Sequence, residues 1–361
     1  MMPSGRSKCL RVLGRVAGRG AAADIDSVVG PGGWWVMGAW KQTVAALVST
    51  VGMVGCAGNV SEAEPVALRE GVAELAAPNG RNLNGRNLNG RNLNGRNLNT
   101  PELGQLLVSV DLVGARIAAE VVGAVRLEGS VFHGVASSGP VSGQAFLGAR
   151  FTGNLDSGDT VELRVDGIEP GTGADADVWA YQVSYYDAAD ALWKPACAAA
   201  DGSALGAIPI AGRWDYRQGV PGGGGKVDDA ARFTFACEGA AIAKCVRFGY
   251  RPWGTTADGL GLAGHHQACT RMVRADFCGD GTSHTTDGQW VNLHDGVDVQ
   301  TDTEAWLHEA EWDADGARCF TQTTRAAQAV SCPGQTQRTH CGKWAHFQAG
   351  TLIMSEVPPA Q

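Results

Sequence analysis

The chain has 361 residues, 44% of them hydrophobic, which suffices for one large domain or two modest ones. Its formal net charge of −8 disfavours nucleic-acid binding, because phosphate contacts need clusters of Lys and Arg. Electrostatic attachment to anionic lipid is disfavoured for the same reason.

An export signal is predicted to begin at Met37. The segment MGAWKQTVAALVSTVGMVGC has a single Lys, then an apolar run, then small residues leading into Cys56. This order is typical of a bacterial secretory signal, and the residues before Cys56 resemble a lipobox with Met53 where Leu is usual. The resemblance implies cleavage before Cys56 and acylation of that cysteine.

Two alternatives to a lipoprotein signal stay open, namely a plain signal peptide and an N-terminal membrane helix. The apolar run is shorter than the roughly 20 residues that span a bilayer, which disfavours the helix. Residues 1–36 are interpreted as a misassigned start and residues 37–55 as the signal peptide.

A strict five-residue repeat follows an acidic spacer, with NGRNL occurring four times from Asn79 to Leu98. A weaker five-residue rhythm of apolar and small residues continues to Gly153. The pattern resembles the pentapeptide-repeat families, whose units stack into a right-handed β-helix. Where those families have a small inward side chain, the strict repeats have Arg81, Arg86, Arg91 and Arg96.

Four guanidinium groups cannot be buried unpaired. We therefore interpret residues 56–103 as an acidic spacer and repeat tether, with only the later units ordered. A true solenoid coil is the alternative.

Alternating apolar and polar residues predict a β-rich domain over residues 104–220, with strands at TVELRV, VWAYQVSYY and AIPIAGRW. In the second of these, Trp179, Tyr181, Val183 and Tyr185 share one face, expected to point to the core rather than to stack on sugar rings. The segment PGGGGK (221–226) is interpreted as a flexible joint and not a phosphate loop, because no Ser or Thr follows the Lys.

Residues 227–320 are predicted to be a cysteine-rich helical part. Apolar spacing indicates one helix over Gly239–Phe248 and a second over about His265–Phe277, with Arg271 and Arg274 facing out. Thr301 and Glu304 form a capping box that predicts a further helix through Trp312. The predicted fold class is thus α+β, a small antiparallel β domain followed by a disulfide-braced helical hairpin and a further helix.

Cysteine usage supports export. Setting aside Cys9 and Cys56, an even number of cysteines remains, which favours disulfides in an oxidising compartment. A zinc cluster is disfavoured because no CxxC pair occurs. The eight cysteines are Cys197, Cys237, Cys245, Cys269, Cys278, Cys319, Cys332 and Cys341.

Spacing suggests the pairing. Cys269 and Cys278 would lie roughly 14 Å apart along a helix, too far for a bridge. An antiparallel hairpin with matched spacings predicts Cys237–Cys278 and Cys245–Cys269; the crossed pairing would need parallel helices. The remaining predicted bridges are Cys332–Cys341, within a stapled tail at 321–361, and Cys197–Cys319.

The segment FTFACEGAAIAKCVRFGYRPWG, followed by ACTRMVRADFCGDG, is similar to the ADYC domain, a bacterial family. Residues 275–278 match the tetrapeptide for which the family is named, with Phe277 in place of Tyr. The resemblance covers about residues 125–320. It implies an exported protein whose domain has no established activity, so no catalytic residue is carried over.

Two functions follow as hypotheses. The favoured one is a lipid-anchored, disulfide-braced module of the cell envelope, periplasmic or on the surface, that binds an envelope protein or glycan or serves as a structural element. It needs no cofactor or metal, and it meets the membrane through acylated Cys56.

The alternative is an extracytoplasmic hydrolase, metal-dependent in one form, built from a His/Asp set near residues 265–295. GxSxG, HxH and HExxH patterns are absent from the sequence. For Asp276 we expect a structural bond instead, to Arg247, to Arg251 or to the backbone of the next turn. The candidate side chains are His265, His266, Asp276, Asp280 and His284, with His294 and Asp295 nearby.

Overall fold

Strands make up most of the folded chain. The computed structural model describes residues 81–83, 106–199, 202–285, 289–302, 305–332, 339–341 and 347–359. The strands are β1 (Arg81–Leu83), β2 (Leu107–Asp111), β3 (Arg116–Ile117), β4 (Glu120–Val121), β5 (Gly123–Glu128), β6 (Val131–Ala136), β7 (Gly139–Ser142), β8 (Arg150–Leu155), β9 (Thr160–Glu169), β10 (Ala180–Asp187), β11 (Leu192–Pro195), β12 (Gly206–Ala211), β13 (Arg213–Trp214), β14 (Lys226–Val227), β15 (Arg232–Cys237), β16 (Gln289–Asp295), β17 (Leu307–Asp313), β18 (Gly316–Phe320), β19 (Thr339–His340) and β20 (Ile353–Val357). The α-helices in these ranges are α1 (Ala241–Arg247) and α2 (Ala263–Arg274). No helix in the described ranges has the length and hydrophobicity of a membrane span.

Six of the strands close into an antiparallel barrel. Their order is β2–β8–β9–β10–β12–β15, and β15 returns to β2 through the pair Phe233↔Val110. Alternate residues of each strand point inward, as on β9, where Val161, Leu163 and Val165 are buried. Closure pairs both edges of each of these strands and so removes exposed edges from the barrel wall.

Aromatic rings fill the barrel. Phe132, contributed by the three-stranded sheet β5–β6–β7, has its ring centroid 5.0 Å from that of Phe151 and 5.2 Å from that of Phe233. Burial of such rings stabilises the fold by roughly 25 cal/mol for each Å² removed from water. Tyr181 and Tyr185 of β10 are buried in the same core, so this face points inward as expected.

Helix α1 covers part of the outer wall of the barrel. Its Ile242 and Val246 pack against Ile208 and Ile210 of β12. Because neighbouring residues of β12 alternate between the barrel interior and this outer cluster, the strand is buried on both faces.

A second sheet has the order β1–β16–β20–β17–β18–β19, with every pair antiparallel except β18–β19. One of its faces packs on α2, where Met272 shares a core with Leu293 and Trp312. Side chains alternate along β16, so Asn292 and His294 lie on the opposite face.

The predicted α+β fold is wrong, because the described chain is mostly β and has no separate helical domain. Helices form near the two predicted positions, but each packs on strands. Arg271 and Arg274, expected to face solvent, are only 2% and 1% exposed. The further helix expected between Thr301 and Trp312 is instead mostly β17, which pairs with β18 and β20. Hydrogen bonds to partner strands on both edges of β17 stabilise this segment more than the helix capping that the local sequence favours.

Four disulfides join the eight cysteines, and the Cys245–Cys269 bridge has the expected partners, linking α1 to α2. The other three pairs differ from those predicted. Cys237 lies on the barrel strand β15 and not on a helix, so it cannot lie opposite Cys278 in a hairpin. The observed pairs are Cys197–Cys237, Cys278–Cys332 and Cys319–Cys341.

The five-residue rhythm forms antiparallel strands rather than stacked coils over residues 106–153. Two of its small positions, Gly114 and Gly129, fall in turns and have φ of +85° and +63°. Within the strict repeats, Arg81–Leu83 form β1 at the edge of the second sheet. The remaining repeats, the signal peptide and Cys56 lie outside the described residues.

Candidate functional site

The tetrapeptide at residues 275–278 ends helix α2 and begins the following turn. Ala275 has a left-handed backbone, with φ of 52°, and this conformation stops the helix. The Asp276 carboxylate is fully buried, forms an ion pair with Arg271, and accepts the backbone N–H groups of Asp280 at 3.1 Å and Gly281 at 3.0 Å. Asp276 therefore fastens the helix end to the next turn, one of the structural roles expected for it.

The two arginines also considered as partners of Asp276 bind other carboxylates. Arg247 pairs with Glu238, whereas Arg251 pairs with Asp175 and with Asp177. These ion pairs lie nearer the surface than the Arg271–Asp276 pair, in which both side chains are at most 3% exposed.

The guanidinium group of Arg271 also holds the glycine-rich segment at 221–226. It donates to the backbone oxygen of Gly223 at 2.5 Å and to that of Ala314 at 3.2 Å. A Cβ on Gly223 would lie 2.4 Å from the Asp280 oxygen, so this close approach requires glycine. The segment is a packed turn around a buried ion pair and not the flexible joint that we expected.

Phe277 and Cys278 complete the tetrapeptide as packing residues. The Phe277 ring is fully buried, with its centroid 5.1 Å from that of Trp312 and 5.2 Å from that of Phe320. Cys278 is bridged to Cys332. The tetrapeptide thus ties together α2, the second sheet and the C-terminal tail, and it presents no group to solvent.

The two histidines near the start of α2 are also part of the core. His266 donates its Nε2–H to the backbone oxygen of Ile242 at 3.1 Å, and burial lowers its pKa to about 3. His265 stacks on Tyr250, with ring centroids 6.1 Å apart, and burial lowers its pKa as well. Both rings are therefore neutral near pH 7.

The remaining members of the predicted hydrolase set have structural partners too. His284 hydrogen-bonds through Nδ1 to the backbone oxygen of Ala275 at 3.1 Å, and Asp280 accepts the backbone N–H of Thr282 at 2.9 Å. In the described part of the chain, no three of the five candidate side chains lie within metal-ligand distance of one another. The structure does not bring this set together.

Asp295 closes a loop. Its carboxylate accepts the backbone N–H groups of Val297 at 2.8 Å, Val299 at 3.2 Å and Gln300 at 2.8 Å, and the hydroxyl of Tyr250 at 2.6 Å. Burial, together with the negative charge of Asp295, raises the pKa of the Tyr250 hydroxyl well above its usual value. This loop leads directly to Asp302.

A group with metal-ligand spacing lies on the face of the second sheet that is opposite to α2. It consists of His294 on β16, Glu356 on β20 and Asp302 after the loop, and one nitrogen or oxygen of each lies within 4.8 Å of the others. We call these three residues the His294 cluster. His294 and Glu356 are each 8% exposed, whereas Asp302 is exposed.

Asn292 is next to the His294 cluster and is fully buried. Its Nδ2 donates to Asp302 Oδ1 and to Glu356 Oε2, each at 2.9 Å. Asn292 Oδ1 and His294 Nδ1 are buried and have no hydrogen-bond partner among the described residues. Burying a polar atom without a hydrogen-bond partner costs free energy. Such an atom therefore marks a position where a bound water, ion or ligand would stabilise the protein.

The electrostatics of the His294 cluster reflect two carboxylates and an imidazole held close together. Burial raises the pKa of Glu356, an effect opposed by the Asn292 hydrogen bond and increased by the charge of Asp302. Burial lowers the pKa of His294. His308 on β17 borders the cluster, since it lies opposite Glu356 in the strand pairing.

Of the three residues in this cluster, only His294 was among the candidates predicted from the sequence. Glu356 belongs to the tail, and it meets His294 only because β20 pairs with β16. The alternation of Asn292 and His294 on one strand face was the available signal, but no motif spacing joins either residue to Asp302 or Glu356.

Comparison with known proteins identifies the family to which this chain belongs. The model of the ADYC domain matches residues 143–326. No curated protein and no solved structure matches the chain. The matched segment holds most of the barrel, both helices and the tetrapeptide at 275–278, and it covers just over half of the chain. The chain therefore belongs to the ADYC domain family.

Proposed function

We propose that this protein is an exported, lipid-anchored module of the cell envelope that acts by binding or as a structural element. The observation that carries the proposal is the pairing of all eight cysteines between residues 197 and 341 into four disulfides. Disulfides persist in oxidising compartments and are rare in the cytosol, where thiols are kept reduced.

The disulfides also support Cys56 as the anchor. They account for every cysteine of the chain except Cys9 and Cys56. None of these four bridges uses Cys56, and the basic, apolar and small residues before it have the order of a lipoprotein signal. A single acyl chain binds membranes only marginally, so stable anchoring requires more than one.

Binding is favoured over hydrolysis by the contacts of the candidate catalytic residues. Asp276 is fully buried and ion-paired, and His266 is fully buried against Ile242. A general acid or base must reach the proton that it transfers, within about 3 Å or through one water. Neither side chain can do so without opening the core. The partner that we propose is an envelope protein or a glycan.

Metabolic labelling tests the anchor. Protein expressed from Met37 in a bacterial host with labelled palmitate should take up the label, and Cys56→Ser should abolish the uptake. Ser61→Ala, five residues beyond Cys56, is the control and should leave the label in place. Persistence of label in Cys56→Ser would refute the anchor, and recovery of the protein with free thiols from the cytosol would refute export.

A further inference from the structure

We infer that the His294 cluster binds a divalent transition cation, with Zn²⁺ and Mn²⁺ as the ions whose chemistry fits. The inference rests on geometry alone and does not depend on export or on lipid anchoring.

Distances allow the three side chains to share one ion. Two atoms that each lie about 2.1 Å from a metal are at most about 4.2 Å apart. The ligand atoms of His294, Asp302 and Glu356 already lie within 4.8 Å of one another. Movements of less than an ångström therefore suffice, and two of the three side chains project from paired strands that hold their backbones in place.

Asn292 provides the second observation. It is fully buried, and its amide nitrogen donates a hydrogen bond to each carboxylate of the cluster. Metal-binding carboxylates are commonly oriented by outer hydrogen bonds of this kind. Asn292 Oδ1 and His294 Nδ1 are both buried and have no hydrogen-bond partner in the described part of the chain. An amide oxygen always offers a lone pair, and Nδ1 offers one when the imidazole carries its proton on Nε2.

The donor set selects the class of ion. One imidazole nitrogen with two carboxylates suits Zn²⁺ and Mn²⁺, whereas Ca²⁺ prefers six to eight oxygen ligands. Two carboxylates match the charge of a divalent ion. Asp302 is exposed while its two partners are buried, so an ion can enter from the Asp302 side and keep water on that side.

The test uses the disulfide-bonded protein after dialysis against EDTA, titrated calorimetrically with ZnCl₂, MnCl₂ and CaCl₂. Wild-type protein should bind about one equivalent of Zn²⁺ or Mn²⁺ more tightly than Ca²⁺, and its melting temperature should rise on binding. Glu356→Gln, Asp302→Asn and His294→Gln should each weaken binding at least about tenfold.

The two carboxylate variants share one control, and the histidine variant has another. Glu162→Gln changes a partly exposed carboxylate on the barrel, and His133→Gln, the counterpart of His294→Gln, changes a histidine on β6 that faces Glu128. Both controls should bind metal as the wild type does. Glu356→Gln keeps an oxygen that can accept the Asn292 hydrogen bond and removes a charge beside Asp302, so its metal-free form should melt no lower than the wild type.

Two results would overturn the inference. One is the absence of Zn²⁺ and Mn²⁺ binding by the metal-free wild type. The other is equal affinity in the wild type and in all three cluster variants. Asp302→Asn keeps the test decisive if a buried variant fails to fold, because Asp302 is exposed.

Discussion

At the scale of single residues, Asp276 is where the contacts of the family tetrapeptide converge. Its carboxylate pairs with Arg271 and accepts two backbone N–H groups, and Arg271 in turn holds Gly223. Removing one member of a buried ion pair leaves the other charge uncompensated, which costs more than the pair itself contributes. From the sequence, Asp276 was also a candidate catalytic residue. In the fold, its carboxylate instead joins the end of helix α2 to the following turn.

We predict that Asp276→Asn destabilises the protein by about 3–5 kcal/mol, because Arg271 is left charged and buried. Urea denaturation with intact disulfides measures the change. Asp280→Asn is the control, since its carboxylate accepts the N–H of Thr282 and is only partly buried; we expect a loss of about 1 kcal/mol or less. Wild-type stability in Asp276→Asn would contradict a structural role for Asp276.

A second prediction concerns His266 and pH. Its folded-state pKa is about 3, below the ordinary value of 6.5, so the unfolded chain binds more protons between these values. The stability that His266 contributes is complete above about pH 6.5 and falls as the pH drops towards 3, on the order of 1 kcal/mol per pH unit.

His266→Gln should flatten this dependence. Urea midpoints at pH 7.5 and pH 4.5 measure it, and the wild type should lose more stability between the two than the variant does. Other groups also destabilise the fold in acid, so the comparison is between the two slopes. Equal slopes would mean that His266 does not titrate in this window.

At the scale of elements, β17 shows how a local signal is overridden. Thr301 and Glu304 have the spacing of a capping box, yet Leu307–Asp313 form a strand. The strand has partners on both edges, and its Trp312 donates to Ser355 Oγ on β20 at 2.8 Å. A capping box stabilises a helix by about the free energy of one or two hydrogen bonds. Pairing β17 with two neighbouring strands forms more hydrogen bonds than that and so contributes more.

The bridge between α1 and α2 is testable at the same scale. Replacing Cys245 and Cys269 together by Ala should lower stability by about 2–4 kcal/mol, chiefly because the unfolded chain gains freedom. The matched control is the pair Cys319 and Cys341, which closes a loop of 22 residues against 24 for the helix bridge. Chain entropy predicts nearly equal losses for two loops of such similar length.

Non-reducing peptide mapping precedes that comparison. It should recover Cys197 joined to Cys237 and Cys278 joined to Cys332, in addition to the two bridges compared above. Recovery of a Cys237–Cys278 peptide would contradict the observed pairing and would restore the helical ladder that spacing suggested.

At the scale of the whole molecule, barrel closure depends on contacts between distant parts of the chain. Arg232 on β15 bonds to Asp111 on β2 across 121 residues. The ADYC match begins at residue 143, after β2, although β2 completes the barrel wall. Glu356 of the His294 cluster likewise lies beyond the end of the match at residue 326. The folded unit is thus larger than the matched segment.

Features that depend on short windows of the chain could be predicted before the fold was known. Alternation located β9 and β10, apolar spacing located α1 and α2, and the even number of cysteines indicated disulfides. The stretch around residues 275–278 indicated the family that the comparison then identified. Each of these signals is complete within a few dozen residues.

Contacts between elements that are distant in the chain could not be predicted in this way. Strand pairing joins β15 to β2 and β16 to β20, and the pairing register, rather than spacing along the chain, selects the neighbours of Cys237 and His294. An extended strand carries no local mark of its partner, since its hydrogen-bonding groups are the same backbone atoms in every sequence. Three of the four disulfide pairings, the burial of Arg271 and the His294 cluster were for that reason beyond what local patterns could predict.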